Sequence, residues 1–235
     1  MAYRLVRLLT GLLVLPLTGA AVAGLCITLY DLPGFGAGGW WLLGGMGAYT
    51  LLAFVLPRPV VLYVIGHELT HALWSKLFGG KVSNLKVSRK GGSVRVSKVN
   101  TFVILAPYFF PLYTIMVGVV FVILSLFVKI MPYYHLLLFL IGFTLQFHYL
   151  TTGTALRNSQ PDLFEAGFVF SLALIPLFNC IVLAVILQLV FFDMDIVMTF
   201  IVNTIQLVGA VYVWLMQKVH VGGKWLVARW NGENF

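Results

Sequence analysis

The sequence predicts an all-α polytopic membrane protein with six or seven transmembrane helices and one small β-hairpin. Of its 235 residues, 61% are hydrophobic and only 9% are charged, whereas a soluble globular domain is nearer one half apolar and one quarter charged. Seven apolar runs divide the chain, and each membrane span needs about 20 residues. Little chain remains for a soluble domain, so we expect a single membrane-embedded domain over residues 1–235.

The apolar runs are separated by residues that end helices. Pro57 and Pro59 end the second run, because proline disfavours helical geometry in the residue before it. Pro107 and Pro111 are expected to kink the fourth helix. A glycine-rich turn separates the first two runs at residues 31–39. The runs predict helices at residues 5–30, 39–56, 59–79, 101–128, 134–156, 165–192 and 196–217.

The first run has some features of a secretory signal sequence. Arg4 and Arg7 precede it, and Ala21-Val22-Ala23 resembles a signal-peptidase site. The apolar stretch nevertheless continues from Leu8 to about Tyr30, which is longer than the apolar region of a signal sequence. We therefore expect an uncleaved first helix.

Residues 81–99 break the helical pattern and predict a β-hairpin. Apolar and polar residues alternate on both sides of Gly91-Gly92, and a period of two around such a turn is typical of two antiparallel strands. Two strands alone are only marginally stable in water. The hairpin is therefore expected to lean on the membrane core or on a partner strand.

The distribution of charge predicts the orientation. Seven of the fifteen basic residues lie between Lys76 and Lys98, with no acid among them, and the positive-inside rule places this segment in the cytoplasm. Counting spans forward places the carboxyl terminus there too. Counting backward places the amino terminus outside, in conflict with Arg4 and Arg7, so the orientation of the first two segments stays open. We expect a multi-pass protein of the bacterial inner (plasma) membrane.

The net charge of +8 is explained by cytoplasmic loops and anionic lipid headgroups. The lipid bilayer is therefore the expected partner of the basic residues, and no nucleic acid is expected. The sequence leaves the oligomeric state open.

The third run carries three polar groups, His67, Glu68 and His71, in the pattern H-E-x-x-H. Residues four apart share one face of a helix, so two imidazoles at this spacing can bind one Zn²⁺. Glu68 lies beside the metal and can take a proton from a bound water, whose pKa zinc lowers to about 7. The alternative is that the histidines bond to neighbouring helices and Glu68 pairs with a lysine. That alternative is disfavoured, because each such group costs about 2.5–3.5 kcal/mol at mid-span.

A third ligand is expected, because catalytic zinc usually has three protein ligands and one position for water. Asp162 follows Pro161, which breaks the helical run, and non-helical backbone at membrane depth survives only beside a polar cavity or buried in protein. We predict Asp162 as this ligand. The alternative is an aspartate that merely starts the next helix near its positive dipole end. His148, on the preceding helix, could instead be a ligand, orient Asp162, contact substrate or be a satisfied interior histidine.

The chain resembles the site-2 protease family of intramembrane zinc metalloproteases over roughly residues 60–170. The resemblance implies that His67, His71 and Asp162 bind zinc, that Glu68 is the general base, and that the hairpin dips toward the active site. It also implies that Asn158 helps to hold substrate. The family's aspartate is usually followed directly by glycine, whereas leucine follows it here. The matching residues are Gly66-His67-Glu68-Leu69-Thr70-His71-Ala72, Gly79-Gly80-Lys81-Val82 with the strand-like residues after them, and Asn158 through Asp162.

The predicted function is that of an intramembrane zinc metalloendopeptidase, which cleaves a transmembrane or membrane-proximal segment of a membrane protein by metal-activated water. The unwound substrate is expected to add a strand to the edge of the hairpin. The alternative is a non-proteolytic metal-binding membrane protein, either an ion carrier or an inactive protease-like scaffold. A carrier needs polar residues along several helices, whereas Glu68 is the one acid deep in a predicted span, so hydrolysis is favoured.

Overall fold

The computed structural model describes residues 2–32, 35–158, 160–191 and 194–230. Within these ranges the chain forms nine α-helices and one two-stranded antiparallel sheet, which confirms the predicted all-α class with a small hairpin. A short 3-10 turn at Met131–Tyr133 precedes the sixth helix. The elements are α1 (Ala2–Asp31), α2 (Phe35–Val55), α3 (Val60–Leu77), β1 (Val82–Ser88), β2 (Gly91–Val96), α4 (Thr101–Phe109), α5 (Leu112–Ser125), α6 (Tyr134–Arg157), α7 (Pro161–Ala166), α8 (Phe168–Val190) and α9 (Ile196–Trp230).

Several of these helices can cross a membrane. In the described ranges, five helices are long and apolar enough, namely α1, α2, α6, α8 and α9. The bent pair α4 and α5 makes a sixth if it counts as one span. The chain is therefore a multi-pass membrane protein. Helix α3, which carries the H-E-x-x-H pattern, is not one of the five and packs instead against α4 and both strands.

The predicted fourth helix, 101–128, is in fact two helices that meet at 74°. The break lies at Pro111, where the Leu112 N–H donates to the Phe110 carbonyl at 2.8 Å. Pro111 has φ −76° and ψ 76°, which are the angles of an inverse γ-turn. Pro107 lies inside α4 without ending it. A kink was predicted at both prolines. Instead, α4 continues through Pro107, and the turn at Pro111 divides the predicted helix in two.

Other boundaries also differ from the prediction. The run 165–192 is divided into α7 and α8 at Gly167, whose φ of +98° is a conformation that L side chains rarely adopt. The last helix continues beyond residue 217 to Trp230. The second helix begins at Phe35, so the glycine-rich turn is shorter than predicted, and residues 33–34 within it lie outside the described ranges.

The hairpin turn was predicted at Gly91-Gly92, and this was wrong. The turn is at residues 89–90, and both glycines belong to β2, where Gly91 pairs with Ser88 and Gly92 with Val87. The reason is that β2 packs directly on α3 at Gly92 and leaves no room for a side chain there. Glycine is needed at this residue for the close approach of the two elements and not for a turn. The hairpin leans on a helix of its own domain.

Two glycines end α3 and start the hairpin. Gly79 has φ +75°, and its N–H donates to the Lys76 carbonyl at 2.9 Å. The N–H of Gly80 donates to the Ser75 carbonyl at 2.8 Å, which completes a Schellman motif. The Ser75 hydroxyl donates to the Lys98 carbonyl at 2.9 Å. Both ends of the hairpin are therefore attached to the last turn of α3.

The remaining helices form the packed surroundings of the site. Helices α2 and α6 approach closely because Gly45 and Gly142 lie at their contact. A Cβ at Gly45 would lie 1.9 Å from the Phe139 carbonyl oxygen, and one at Gly142 would lie 1.9 Å from the Leu42 carbonyl oxygen. Helix α1 packs on α8 and α9, and α4 packs on α3, α7 and α8. Helix α4 thus connects the two elements that carry the predicted metal ligands.

Candidate metal centre

The two histidines of the H-E-x-x-H pattern lie on one face of α3. Their Nε2 atoms are 3.2 Å apart, and their side chains are only 12% and 14% exposed. The spacing of one helical turn brings both imidazoles to the same point. His67 and His71 therefore present two nitrogen atoms to a shared position.

Asp162 completes the group from the other side. Pro161 begins α7, and Gln160 before it is extended, with ψ 143°. Asp162 consequently lies in the first turn of α7 and also faces the histidines. Its Oδ2 atom is 3.3 Å from the His67 Nε2 atom and 3.6 Å from the His71 Nε2 atom. The sequence left two roles for Asp162 as alternatives, namely to start a helix or to approach the imidazoles. The structure shows that Asp162 does both.

The three facing atoms have the spacing of a metal site. Among the residues that the structure describes, His67, His71 and Asp162 form a group that could hold a metal ion. Two ligands at 2.0–2.1 Å from a tetrahedral zinc ion lie about 3.3 Å from each other, and the three observed distances are 3.2, 3.3 and 3.6 Å. Imidazole also binds copper, iron and nickel, so the geometry indicates a metal site without selecting zinc.

A proline in α4 supplies the hydrogen-bond partner that orients His71. In an α-helix the N–H of residue 107 would bond to the carbonyl of Val103, but Pro107 has no N–H. The Val103 carbonyl is therefore free, and it accepts a hydrogen bond from His71 Nδ1 at 2.7 Å. Because Nδ1 carries the proton, the Nε2 lone pair is directed to the metal position.

Tyr108 provides the matching support for the carboxylate. Its hydroxyl donates to Asp162 Oδ2 at 2.9 Å, and the tyrosine is 1% exposed. Burial opposes ionisation of Asp162, but hydrogen bonds with His67, His71 and Tyr108 lower the pKa of its carboxyl group below the ordinary value. The carboxylate is thus an anionic ligand with a fixed orientation.

Neither Val103 nor Tyr108 was predicted from the sequence to be part of the site. The available signal was Pro107, because a proline inside a helix frees the carbonyl four residues earlier. It does not indicate which side chain takes that carbonyl. The contact of Tyr108 with Asp162 depends on how α4 and α7 pack, and no local pattern in the sequence reports that packing.

His148 lies outside the group of three. Its Nε2 atom is 3.3 Å from Asn179 Oδ1, and it is 8% exposed. Asn179 Nδ2 donates to the carbonyls of Tyr108 at 2.9 Å and Ile175 at 2.8 Å. The Tyr108 carbonyl is available because the helix breaks at Pro111. His148 is therefore hydrogen-bonded in the interior and connects to Asp162 through Asn179 and Tyr108.

Glu68 lies on the neighbouring face of α3 beneath the hairpin. It is 8% exposed, and a Cβ added at Gly92 would lie 2.8 Å from its Cγ atom and 2.5 Å from Val64 Cγ1. The glutamate is close enough to His71 to interact with it electrostatically. Within the described ranges its carboxylate has no hydrogen-bond partner. The backbone of β2 therefore covers the side chain of Glu68 at its Cγ atom.

Asn158, the predicted substrate-binding residue, lies outside the metal group as well. It is the C-cap of α6, is exposed, and lines a large cavity together with Tyr63. The Tyr63 hydroxyl lies 3.5 Å from His67 Nδ1. Asn158 is thus connected to the metal centre through the wall of this cavity.

Comparison with known proteins gives no match: no protein-family model, no curated protein and no solved structure matches the chain. The resemblance of residues 60–170 to the site-2 protease family therefore rests on the sequence motifs. The metal-binding geometry rests on the distances between His67, His71 and Asp162.

Proposed function

We propose that this protein is an intramembrane zinc metalloendopeptidase of the site-2 protease type, cleaving a transmembrane or membrane-proximal segment of a membrane protein. The observation that carries the proposal is the triangle of His67 Nε2, His71 Nε2 and Asp162 Oδ2 beside the buried side chain of Glu68. Three ligands and an adjacent carboxylate are the groups that metal-assisted hydrolysis by this type of site uses.

Each residue has a distinct task in the proposed reaction. His67, His71 and Asp162 hold the ion. When bound, Zn²⁺ supplies Lewis acidity and lowers the pKa of a neighbouring water, which makes it a nucleophile at neutral pH. Glu68 accepts a proton from the attacking water at a carboxylate oxygen and then donates it to the leaving amine. No hydrogen bond to the Glu68 carboxylate is found among the residues that the structure describes, which leaves both oxygens free for this transfer.

The hairpin has free strand edges with which an extended substrate peptide could pair. In the described ranges the sheet has two strands, so each strand has an outer edge that can pair with an unwound peptide. The hairpin also lies directly over Glu68, so a peptide added to it would lie near the base. The seven basic residues from Lys76 to Lys98 favour a cytoplasmic location for this face in a bacterial inner membrane, with a cytoplasmic carboxyl terminus.

The decisive variant is Glu68→Gln. We expect it to bind zinc in the same stoichiometry as the wild-type protein, because Glu68 is not one of the three ligands. We expect cleavage to fall by about 10²–10⁴-fold, which is the usual contribution of general acid–base catalysis. Glu165→Gln is the matched control, because Glu165 is an exposed carboxylate on α7 outside the metal group, and it should leave cleavage unchanged.

Substrates can be found by comparing membrane proteomes of cells that express either the wild-type protein or Glu68→Gln. The proposed function predicts that uncut membrane proteins accumulate with the variant and that these proteins are cut by the purified wild-type protein. Stoichiometric zinc without any cleavage would instead favour a metal carrier or a protease-like scaffold. Unchanged cleavage by Glu68→Gln would exclude Glu68 as the base.

A further inference from the structure

A cavity of about 460 Å³ extends the metal-bearing face of α3. Val60 and Tyr63 line it, and they precede His67 on the same helical face at spacings of seven and four residues. A smaller cavity of about 30 Å³ lies beside His67 and shares Tyr63 and Thr151 with the large one. The large cavity thus leads along α3 to the metal centre, and its volume is in the range of ligand-binding pockets.

The charged side chain that lines this cavity is positive. Among the described residues that line it, Arg58 is a cation and none is acidic. Arg58 forms no ion pair with any residue in the described ranges, and Asn158 and Gln160 add uncharged polar groups to the lining. A peptide segment with an acidic side chain complements this lining, because arginine binds carboxylates through paired hydrogen bonds.

The backbone that carries Arg58 is held in one conformation. Pro59 has φ −77° and ψ 66°, and the Val60 N–H donates to the Arg58 carbonyl at 2.8 Å, which defines an inverse γ-turn. Pro59 also restricts the backbone of Arg58 itself, because proline disfavours helical geometry in the residue before it. Arg58 is therefore attached to a rigid link at the beginning of α3 rather than to a mobile loop.

We propose that this cavity binds the substrate segment next to the scissile bond and that Arg58 selects an acidic side chain in it. The inference rests on the proposed peptidase function and adds a substrate preference to it. Val60, where α3 begins, precedes His67 by seven residues, which is about 10 Å along the helix, and Arg58 lies two residues before Val60. An extended peptide advances about 3.3 Å per residue. The preferred Asp or Glu should therefore lie about four residues from the cleaved bond.

The test uses the purified, zinc-loaded full-length protein in detergent with a proteome-derived peptide library, and mass spectrometry identifies the cleaved bonds. We expect the wild-type protein to favour Asp or Glu at one position about four residues from the cut. Arg58→Glu should reduce that preference by about tenfold, the size of a charged hydrogen bond, and should favour Lys or Arg there. Arg58→Lys should keep only part of the preference, because lysine retains the positive charge but not the paired hydrogen bonds. Lys129→Gln, which removes a cation that does not line the cavity, should leave it unchanged.

The outcomes separate the two proposals. Cleavage without an acidic preference, or with a preference that Arg58→Glu leaves intact, overturns this inference alone. No cleavage of any peptide by the wild-type protein overturns the peptidase function and this inference with it. Zinc content and size-exclusion profile verify that each variant is folded. Arg58 could instead bind the headgroup of an anionic lipid, and native mass spectrometry tests this. If Arg58→Gln loses bound phosphatidylglycerol while its cleavage preference is unchanged, Arg58 binds a lipid headgroup and the inference is refuted.

Discussion

The two faces of α3 are supported in different ways. His71 is oriented by a 2.7 Å hydrogen bond to the Val103 carbonyl, and the facing carboxylate of Asp162 is fixed by Tyr108. Glu68, one residue along the chain from His67, is covered by the backbone of β2 at Gly92 and has no hydrogen-bond partner in the described ranges. A metal ligand needs a fixed direction, whereas a group that accepts and donates protons needs free oxygens and shielding from bulk water. The two kinds of support match these two needs.

The largest expected change in zinc affinity comes from removing Asp162, the ligand that α7 contributes. Asp162→Ala should weaken zinc binding by more than about 100-fold, since changes in supporting residues alone cost 10–100-fold. His148→Ala is the matched control, because His148 is bonded to Asn179 and lies outside the group of three. Zinc titration of both purified variants checks this. If only the His148 variant loses its metal, Asp162 is not the third ligand.

The second prediction addresses the face that carries Glu68. Gly92→Val should reduce cleavage by about 100-fold, the cost of misplacing a catalytic group by about 1 Å, because the Cβ atom alone would lie 2.5 Å from Val64 Cγ1. Zinc affinity should be unchanged, because the imidazoles lie on the neighbouring face of α3 and His71 is held by α4. Gly118→Val is the control, as nothing lies within 4 Å of its added Cβ atom. Loss of zinc in Gly92→Val would show that the two faces are not independent.

The sequence predicted the periodic elements and the local pattern of the site. Helical spacing is sufficient to place His67 and His71 together, and the helix break at Pro161 was sufficient to suggest that Asp162 turns toward them. The hairpin was predicted from its alternation. These features depend on neighbouring residues in the chain, so a single sequence contains them.

Features that depend on packing were not predictable in the same way. The glycine at residue 92 indicated a turn, but its function is to let a strand approach α3. Pro107 indicated a kink, but α4 continues through it and the freed Val103 carbonyl bonds to His71. In both cases the residue type gave the correct physical property, and its use was decided by an element distant in sequence.

The third prediction tests the support of the carboxylate. Tyr108→Phe should weaken zinc binding by about tenfold, because it removes the 2.9 Å hydrogen bond to Asp162 Oδ2 while leaving the ring in place. Tyr212→Phe removes a hydroxyl that bonds to the Leu13 carbonyl and to none of the three ligands, and it should leave zinc affinity unchanged. An unchanged affinity in Tyr108→Phe would show that α7 alone fixes Asp162.

The smallest expected change in zinc affinity is also the most specific. Pro107→Ala gives residue 107 an N–H that can bond to the Val103 carbonyl and so compete with His71 Nδ1. A carbonyl oxygen can accept two hydrogen bonds, so His71 should keep a weaker bond, and zinc affinity should fall by only about three- to tenfold. The thermal stability of the metal-free protein should rise, because proline inside a helix is about 3 kcal/mol less favourable than alanine.

Opposite changes in stability and metal affinity distinguish this explanation from general damage to α4, which would lower both. Pro176→Ala is the matched control, since Pro176 also lies inside a helix, α8, and the carbonyl four residues before it, that of Leu172, does not bond to a metal ligand. It should raise stability without changing zinc affinity. If Pro107→Ala behaves like this control, the Val103 carbonyl does not need to be freed in order to orient His71, and the hydrogen-bonded support of the imidazole face would have to come from Asp162 and Tyr108 alone.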